Sequence, residues 1–177
     1  MNRLSVSDTE AFCRIKEACK SDPNIYQSML LMTKYFLDAH NVSFFLGFGT
    51  LLGAVREKWF IKNDHDVDIM ILEKDEDKLV KAIQSDEFKN SHLELIRVHY
   101  PFLISLGYVE QYLDIYVMRP VGDNYQCWVL NVEKWRLDQP DEINFIGNRF
   151  LIPKDPETYL ERVYGDWRTP SNKHAES

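Results

Sequence analysis

The sequence is short of the features that mark a stapled secreted domain, a nucleic-acid binder or a membrane protein. Its 177 residues contain three cysteines, Cys13, Cys19 and Cys127. An odd count gives no disulfide framework, and the six-residue step from Cys13 to Cys19 is no zinc-knuckle spacing. Buried free thiols in a reducing compartment are the expectation. Positive charge is also scarce: 21 lysines and arginines stand against 28 acids, and they are scattered. General nucleic-acid binding needs them clustered, so it is excluded. No apolar run approaches the ~20 residues of a membrane span. The polar start, MNRLSVSDTE, leads into a helix cap rather than a signal peptide. A cytoplasmic protein is expected.

What is present is a chain with 45% hydrophobic residues, rich enough in apolar side chains to fold around its own core. It reads as one domain over residues 1–177, with a polar tail from 171 expected to fray. There is no internal repeat, low-complexity tract or linker. Ser7 and Glu10 form a capping box before Phe12, Ile15, Ala18 and Cys19 on one helical face. Asp22-Pro23 starts a second helix, with Ile25, Met29, Met32, Phe36 and Leu37 at helical spacing up to His40. That stripe is core packing. Residues 42–46 form a buried strand, Thr50 caps a brief helix (TLLGAVRE), and residues 66–72 form the next strand. Residues 74–84 read as a charged surface helix with Leu79, Val80 and Ile83 inward.

From Leu93 the pattern turns to β: LELIRVH, FLISL and QYLDIYVM, punctuated by Gly107-Tyr108 and Arg119-Pro120. Residues 125–130 form another strand, and Gly147-Asn148 marks a hairpin within 143–152. Asp155-Pro156 caps a final helix that stops at Gly165. Strands following a helical half predict an α+β fold, a mixed sheet flanked by helices.

The chemistry concentrates in residues 46–72, LGFGTLLGAVREKWFIKNDHDVDIMIL. Asp64, Asp66 and Asp68 are spaced by two, so along a strand Asp66 and Asp68 project to one face. Two adjacent buried acids repel each other, and a divalent cation offsets that charge. Hard oxygen ligands suit magnesium, with manganese as the alternative. A calcium loop is excluded because Ile69 stands where its turn glycine is needed. Gly47, Gly49 and Gly53 miss the dinucleotide fingerprint by one residue. Asp114, in YLDIYVM, supplies a third acid. Three carboxylates can hold two metal ions for phosphoryl transfer. The glycine turn and helix start at Gly49 and Thr50 offer backbone donors to phosphates, and Arg56 offers a fixed positive charge.

These segments resemble a known family. Residues 49–56 (GTLLGAVR), Phe60-Ile61 and residues 64–68 (DHDVD) are similar to the LicD family of the nucleotidyltransferase-fold superfamily, which includes phosphocholine transferases and fukutin-related proteins. The hydrophobic-Asp-hydrophobic-Tyr strand at Asp114 agrees. So does the ending: Ile152-Pro153, Tyr159-Leu160, residues 164–167 (YGDW) and Thr169-Pro170. The resemblance implies a nucleotidyltransferase-like fold with Asp66, Asp68 and Asp114 as metal ligands and catalytic acids. It further implies substrate contacts from Gly49, Thr50, Arg56, Asp64 and His65. The donor would be a CDP-linked molecule such as CDP-choline or a CDP-alditol. A glycan or small-molecule hydroxyl would be the acceptor, with Asp114 aiding its deprotonation. The family's usual Pro-Trp-Asp-Asp-Asp is here Lys62-Asn63-Asp64-His65-Asp66, and Trp59 replaces a usual glycine. Tyr159, Leu160, Tyr164 and Trp167 read as packing, the alternative being that Asp166 or Arg168 reaches the site. Two other readings stay open: transfer of a nucleoside monophosphate from a nucleoside triphosphate, and a non-catalytic nucleotide-binding module.

Overall fold

A computed structural model of the chain describes residues 12–15, 22–128 and 130–170. The capping box at Ser7 and the positions Ala18 and Cys19 lie outside them. Helix α1, Pro23–Ala39, begins as its sequence predicts, with the Asp22 side chain accepting from the Asn24 N–H at 3.0 Å and proline in the first turn. It buries Tyr26, Met29, Leu30, Thr33, Phe36 and Leu37, a stripe at three- and four-residue steps. Asn41 then turns the chain with a φ of 56°.

The remaining elements follow in order. They are β1 (Phe44–Leu46), α2 (Phe48–Arg56) and β2 (Val67–Leu72), then a 3-10 turn (Glu73–Asp75), α3 (Glu76–Ile83) and α4 (Asp86–Lys89). The hairpin-rich part contains β3 (Glu94–His99), β4 (Leu103–Tyr108), β5 (Gln111–Val121), β6 (Asn124–Gln126) and β7 (Asn131–Glu133). The chain closes with α5 (Lys134–Asp138), β8 (Asp141–Phe145), β9 (Asn148–Ile152) and α6 (Pro156–Tyr164).

The strands make one mixed sheet in the order β3-β4-β5-β2-β1-β9-β8, with β6 and β7 continuing from the far end of β5. β2 runs parallel to β5, and β1 runs antiparallel to β2 but parallel to β9. Every residue of β2 is buried, so this central strand is covered on both faces and reads as a continuous apolar run interrupted only by Asp68. Gly53 permits the close turn beneath it: a Cβ there would sit 2.6 Å from the Trp59 carbonyl oxygen.

Several local expectations are corrected. The brief helix starts at Phe48 with Gly47 as its cap, so Thr50 lies inside it. The β4–β5 turn falls on Val109 and Glu110, both with positive φ, rather than on Gly107-Tyr108, which belongs to β4. Two such residues give the mirror-image turn that a tight hairpin requires even without glycine. Arg119 and Pro120 remain within β5, whose last residues pair with β6. The strand expected over 125–130 is shorter, and Cys127 and Leu130 close a turn instead. Val80 is only half-buried, and Ala82 joins Leu79 and Ile83 on the inner face. The β8–β9 turn is made by Ile146 and Gly147. Asp155 precedes α6 in a left-handed conformation, and its side chain makes no cap bond. No local pattern marks α5, and of the thiols expected to be buried, Cys127 is buried whereas Cys13 is exposed.

Candidate active site

The site is built around one position of β2. Asp68 pairs in register with Asp114 of β5, Asp114 with Ser105 of β4, and Ser105 with Arg97 of β3. In-register residues share a face of the sheet, so four neighbouring strands contribute one polar row to it. A bulge makes the last step possible. The β3–β4 pairing shifts between Leu95 and Arg97, with Ile96 as the extra residue. Without it, Arg97 would lie opposite Ile104 and face the other way.

The N-terminus of α2 fixes Asp68 from the opposite side. Gly47 N–H donates to the Asp68 carbonyl at 3.1 Å, and the Asp68 N–H donates to Thr50 Oγ1 at 2.9 Å. The Gly49 N–H also supports the Asp68 carboxylate. Thr50 therefore serves this site as a buried acceptor for the strand backbone. Gly49 also leaves room for the Asp64 carboxylate, which a Cβ there would push aside. Asp64 is held in turn by its carbonyl, which accepts from Tyr26 OH at 2.9 Å.

Asp66, Asp68 and Asp114 each bring a carboxylate oxygen within 4.8 Å of the others. Asp68 and Asp114 are buried, and Asp66 is half-buried. Burial, followed by the charges of Asp64 and Asp114, pushes the Asp66 carboxyl up to about 7. Burial and the charge of Asp66 push Asp68 well above the carboxylate range. Burial raises Asp114 as well, and Arg97 and Ser105 oppose that rise. The cluster is thus three acids that disfavour one another's ionisation.

One arginine meets them. Arg97 Nη2 donates to both Asp114 oxygens, at 3.0 and 2.8 Å, and its Nε donates to Ser105 Oγ at 2.9 Å. Ser105 Oγ passes a further bond to Asp114 Oδ1 at 2.5 Å. The Phe12 ring covers the guanidinium at 4.0 Å and meets Tyr112 edge-on at 5.6 Å. Tyr112 donates to Asp66. The sequence pattern singled out none of Arg97, Ser105 or Tyr112. Only the strand alternation that put Tyr112 on the face of Asp114 hinted at one of them.

A cavity of about 800 Å³ opens beside the acids. Of the expected site residues, Gly49, Arg56, Asp64, His65, Asp66 and Asp68 line it, whereas Thr50 and Asp114 do not. Arg56 contributes to the wall but is tied down, with Nε on Glu57 at 2.7 Å and Nη1 on the Trp167 carbonyl at 3.0 Å. His65 is exposed at the rim. The closing segment forms the opposite wall through Tyr164, Asp166, Trp167, Thr169 and Pro170. Tyr159, Leu160 and Trp167 are buried, in line with packing, while Arg168 turns outward to Glu157 and Glu161.

Comparison with known proteins matches this geometry to a fold. Residues 41–103 match the family model described as LicD/FKTN/FKRP, nucleotidyltransferase domain. The match includes Asp66, Asp68 and Arg97 and ends before Asp114. None of the curated proteins compared with the chain matches it significantly. Among solved structures, the lincosamide antibiotic adenylyltransferase LnuA with lincomycin bound is 16% identical. It aligns with a TM-score of 0.54 over 84% of this chain and 91% of its own. The antibiotic-resistance factor ANT(2'')-Ia in solution is 12% identical, with a TM-score of 0.53 over 85% of this chain and 79% of its own. The likeness is one of fold: an α+β nucleotidyltransferase-like domain with its mixed sheet flanked by helices. No helix among the described residues is long and apolar enough to cross a membrane.

Proposed function

We propose that the chain is a divalent-metal-dependent transferase that moves a phosphorus-linked group from a nucleotide-activated donor to a hydroxyl. The observation that carries this reading is the meeting of Asp66, Asp68 and Asp114 within 4.8 Å, beside an open cavity and against the start of α2. The donor set fits a hard cation: three carboxylates, crowded enough to resist ionisation, with Arg97 paired to one of them. Asp66 and Asp68 would hold magnesium or manganese, with Asp114 as the third ligand. Such an ion polarises the phosphoryl oxygens and offsets charge on the leaving group.

The protein's own groups divide the remaining work. Gly49 and Thr50 hold Asp68 in place, so the helix start orients a ligand as well as facing the cavity. Asp64, Arg56 and His65 line the space where donor and acceptor would meet. Asp114 has both oxygens engaged by Arg97 and Ser105, which favours a holding role over proton transfer. Asp66 and Asp68 line the cavity and would present the held ion to an acceptor hydroxyl, whose loss of a proton the ion would ease.

For the transferred group, the LicD resemblance favours phosphocholine or an alditol phosphate from a CDP-linked donor, delivered to a glycan or small acceptor. The fold shared with adenylyltransferases supports a second reading, transfer of a nucleoside monophosphate from a triphosphate. Incubation with magnesium, CDP-choline, CTP or ATP, and a panel of sugar and alditol acceptors separates them. CMP with a choline-labelled product is expected under the first reading, and pyrophosphate under the second. Asp68→Asn should reduce either turnover by at least about a hundredfold. Undiminished turnover in that variant would refute the site.

A further inference from the structure

We propose that Arg97 is a built-in counter-charge and positioning residue that sets the cation capacity of the carboxylate site. The inference rests on the metal-site reading above and adds a residue that the sequence motifs do not contain. Three observations carry it.

The first is charge. Three carboxylates facing one another bring three negative charges when ionised, and the guanidinium of Arg97 on Asp114 leaves two. Two negative charges are matched by one divalent ion. A second ion would find no unmatched charge among these three ligands, only that of Asp64 outside them, until a donor brought its own phosphate charges.

The second is geometry. A carboxylate offers about four acceptor positions. On Asp114, Arg97 uses one on each oxygen and Ser105 takes a second on Oδ1. One position remains, on Oδ2, so Asp114 is presented as a one-oxygen ligand in a fixed orientation.

The third is confinement. Arg97 is mostly buried, its Nε is anchored on Ser105, and the Phe12 ring lies against its guanidinium. A cation so enclosed is screened little by salt. Its repulsion of an incoming metal ion is therefore felt at low dielectric, where charges a few ångströms apart interact strongly.

Manganese titration without nucleotide, followed by electron paramagnetic resonance and calorimetry, tests the inference on the whole chain. The wild-type protein should hold one ion per chain. Arg97→Met should bind its first ion at least about tenfold more tightly, or take up a second. Arg97→Lys, which keeps the charge, should stay within about threefold of wild type. Arg97→Gln, a neutral residue that retains hydrogen-bonding capacity, should follow Arg97→Met and decides the matter where the methionine variant does not fold. A purely structural arginine would alter the melting temperature without tightening metal binding. Neutral variants that bind manganese with wild-type or weaker affinity overturn the inference and leave the metal site standing. Wild-type binding that Asp68→Asn leaves unchanged removes the metal site itself, and the inference with it.

Discussion

Two of the places where the molecule buries charge are balanced differently. Around Arg136, in α5, every charge has an answer. The guanidinium is 4% exposed and donates to Glu133 at 3.2 Å and to the carbonyls of Lys154 and Asp155 at 2.7 and 3.0 Å. Asp155 adds a carboxylate at 3.8 Å, and Glu133 also pairs with Arg162. This hub ties α5 to the start of α6. Around Asp68, three acids face one arginine among the described residues, Arg97. A balanced buried centre acts as scaffold because each member loses a partner when another is removed. An unbalanced one stores unfavourable energy that a proton or an arriving cation relieves.

The comparison is broken most directly by removing one member from each centre. Arg136→Met should destabilise the protein by about 1–3 kcal/mol in urea unfolding, because the Lys154 and Asp155 carbonyls lose a charged donor while the part-exposed Glu133 keeps Arg162. Asp68→Asn should do the opposite in metal-free buffer. It raises stability by roughly 1–3 kcal/mol, since the amide keeps the Gly49 bond and loses the repulsion. Equal losses in the two variants would show that the acids are scaffold after all.

The pH dependence of the metal-free protein sharpens the contrast. The Asp66 carboxyl rises from an ordinary 3.8 to about 7 on folding, so the folded state favours its protonated form. That contribution is complete below pH 3.8 and is lost as pH rises through about 7. Asp68 shifts in the same direction. Thermal melts in chelator should therefore lose stability between about pH 4 and 7 relative to Asp66→Asn. Manganese should raise the melting temperature more at pH 8 than at pH 5. Parallel pH profiles for the two proteins would contradict the shift.

The smallest effect belongs to the outer surface. Arg168, exposed, pairs with Glu157 and Glu161 and lies over the Trp167 ring at 4.3 Å. Arg168→Ala should change stability by less than about 1 kcal/mol and leave the manganese-induced shift in melting temperature intact. A lost shift would extend the site into the closing segment.

Much of this arrangement is legible in the sequence. The two-residue step of Asp66 and Asp68 at an apolar strand and the lone acid in YLDIYVM identify the triad from periodicity alone. The cap at Asp22-Pro23 and the turn at Asn41 are likewise local signals. What is not legible depends on pairing. Ser105 and Arg97 join Asp114 only through the registers of β3, β4 and β5, and no local pattern states a register. Thr50 has the residue type of a helix cap, yet its hydroxyl receives the Asp68 N–H eighteen residues away. Val109 and Glu110 turn a hairpin without glycine, so composition points two residues too early.

The bulge at Ile96 makes the register of β3 as consequential as its composition. Closing it with every residue kept, so that Ile96 takes the place opposite Ser105, would preserve each helix, each strand and the whole acidic triad. It would also turn the arginine to the far side of the sheet, opposite Ile104, and the carboxylates would keep their places without their internal cation. Reading the residues one by one overlooks this dependence, because it resides in how β3 is aligned on β4 rather than in the identity of any one of them.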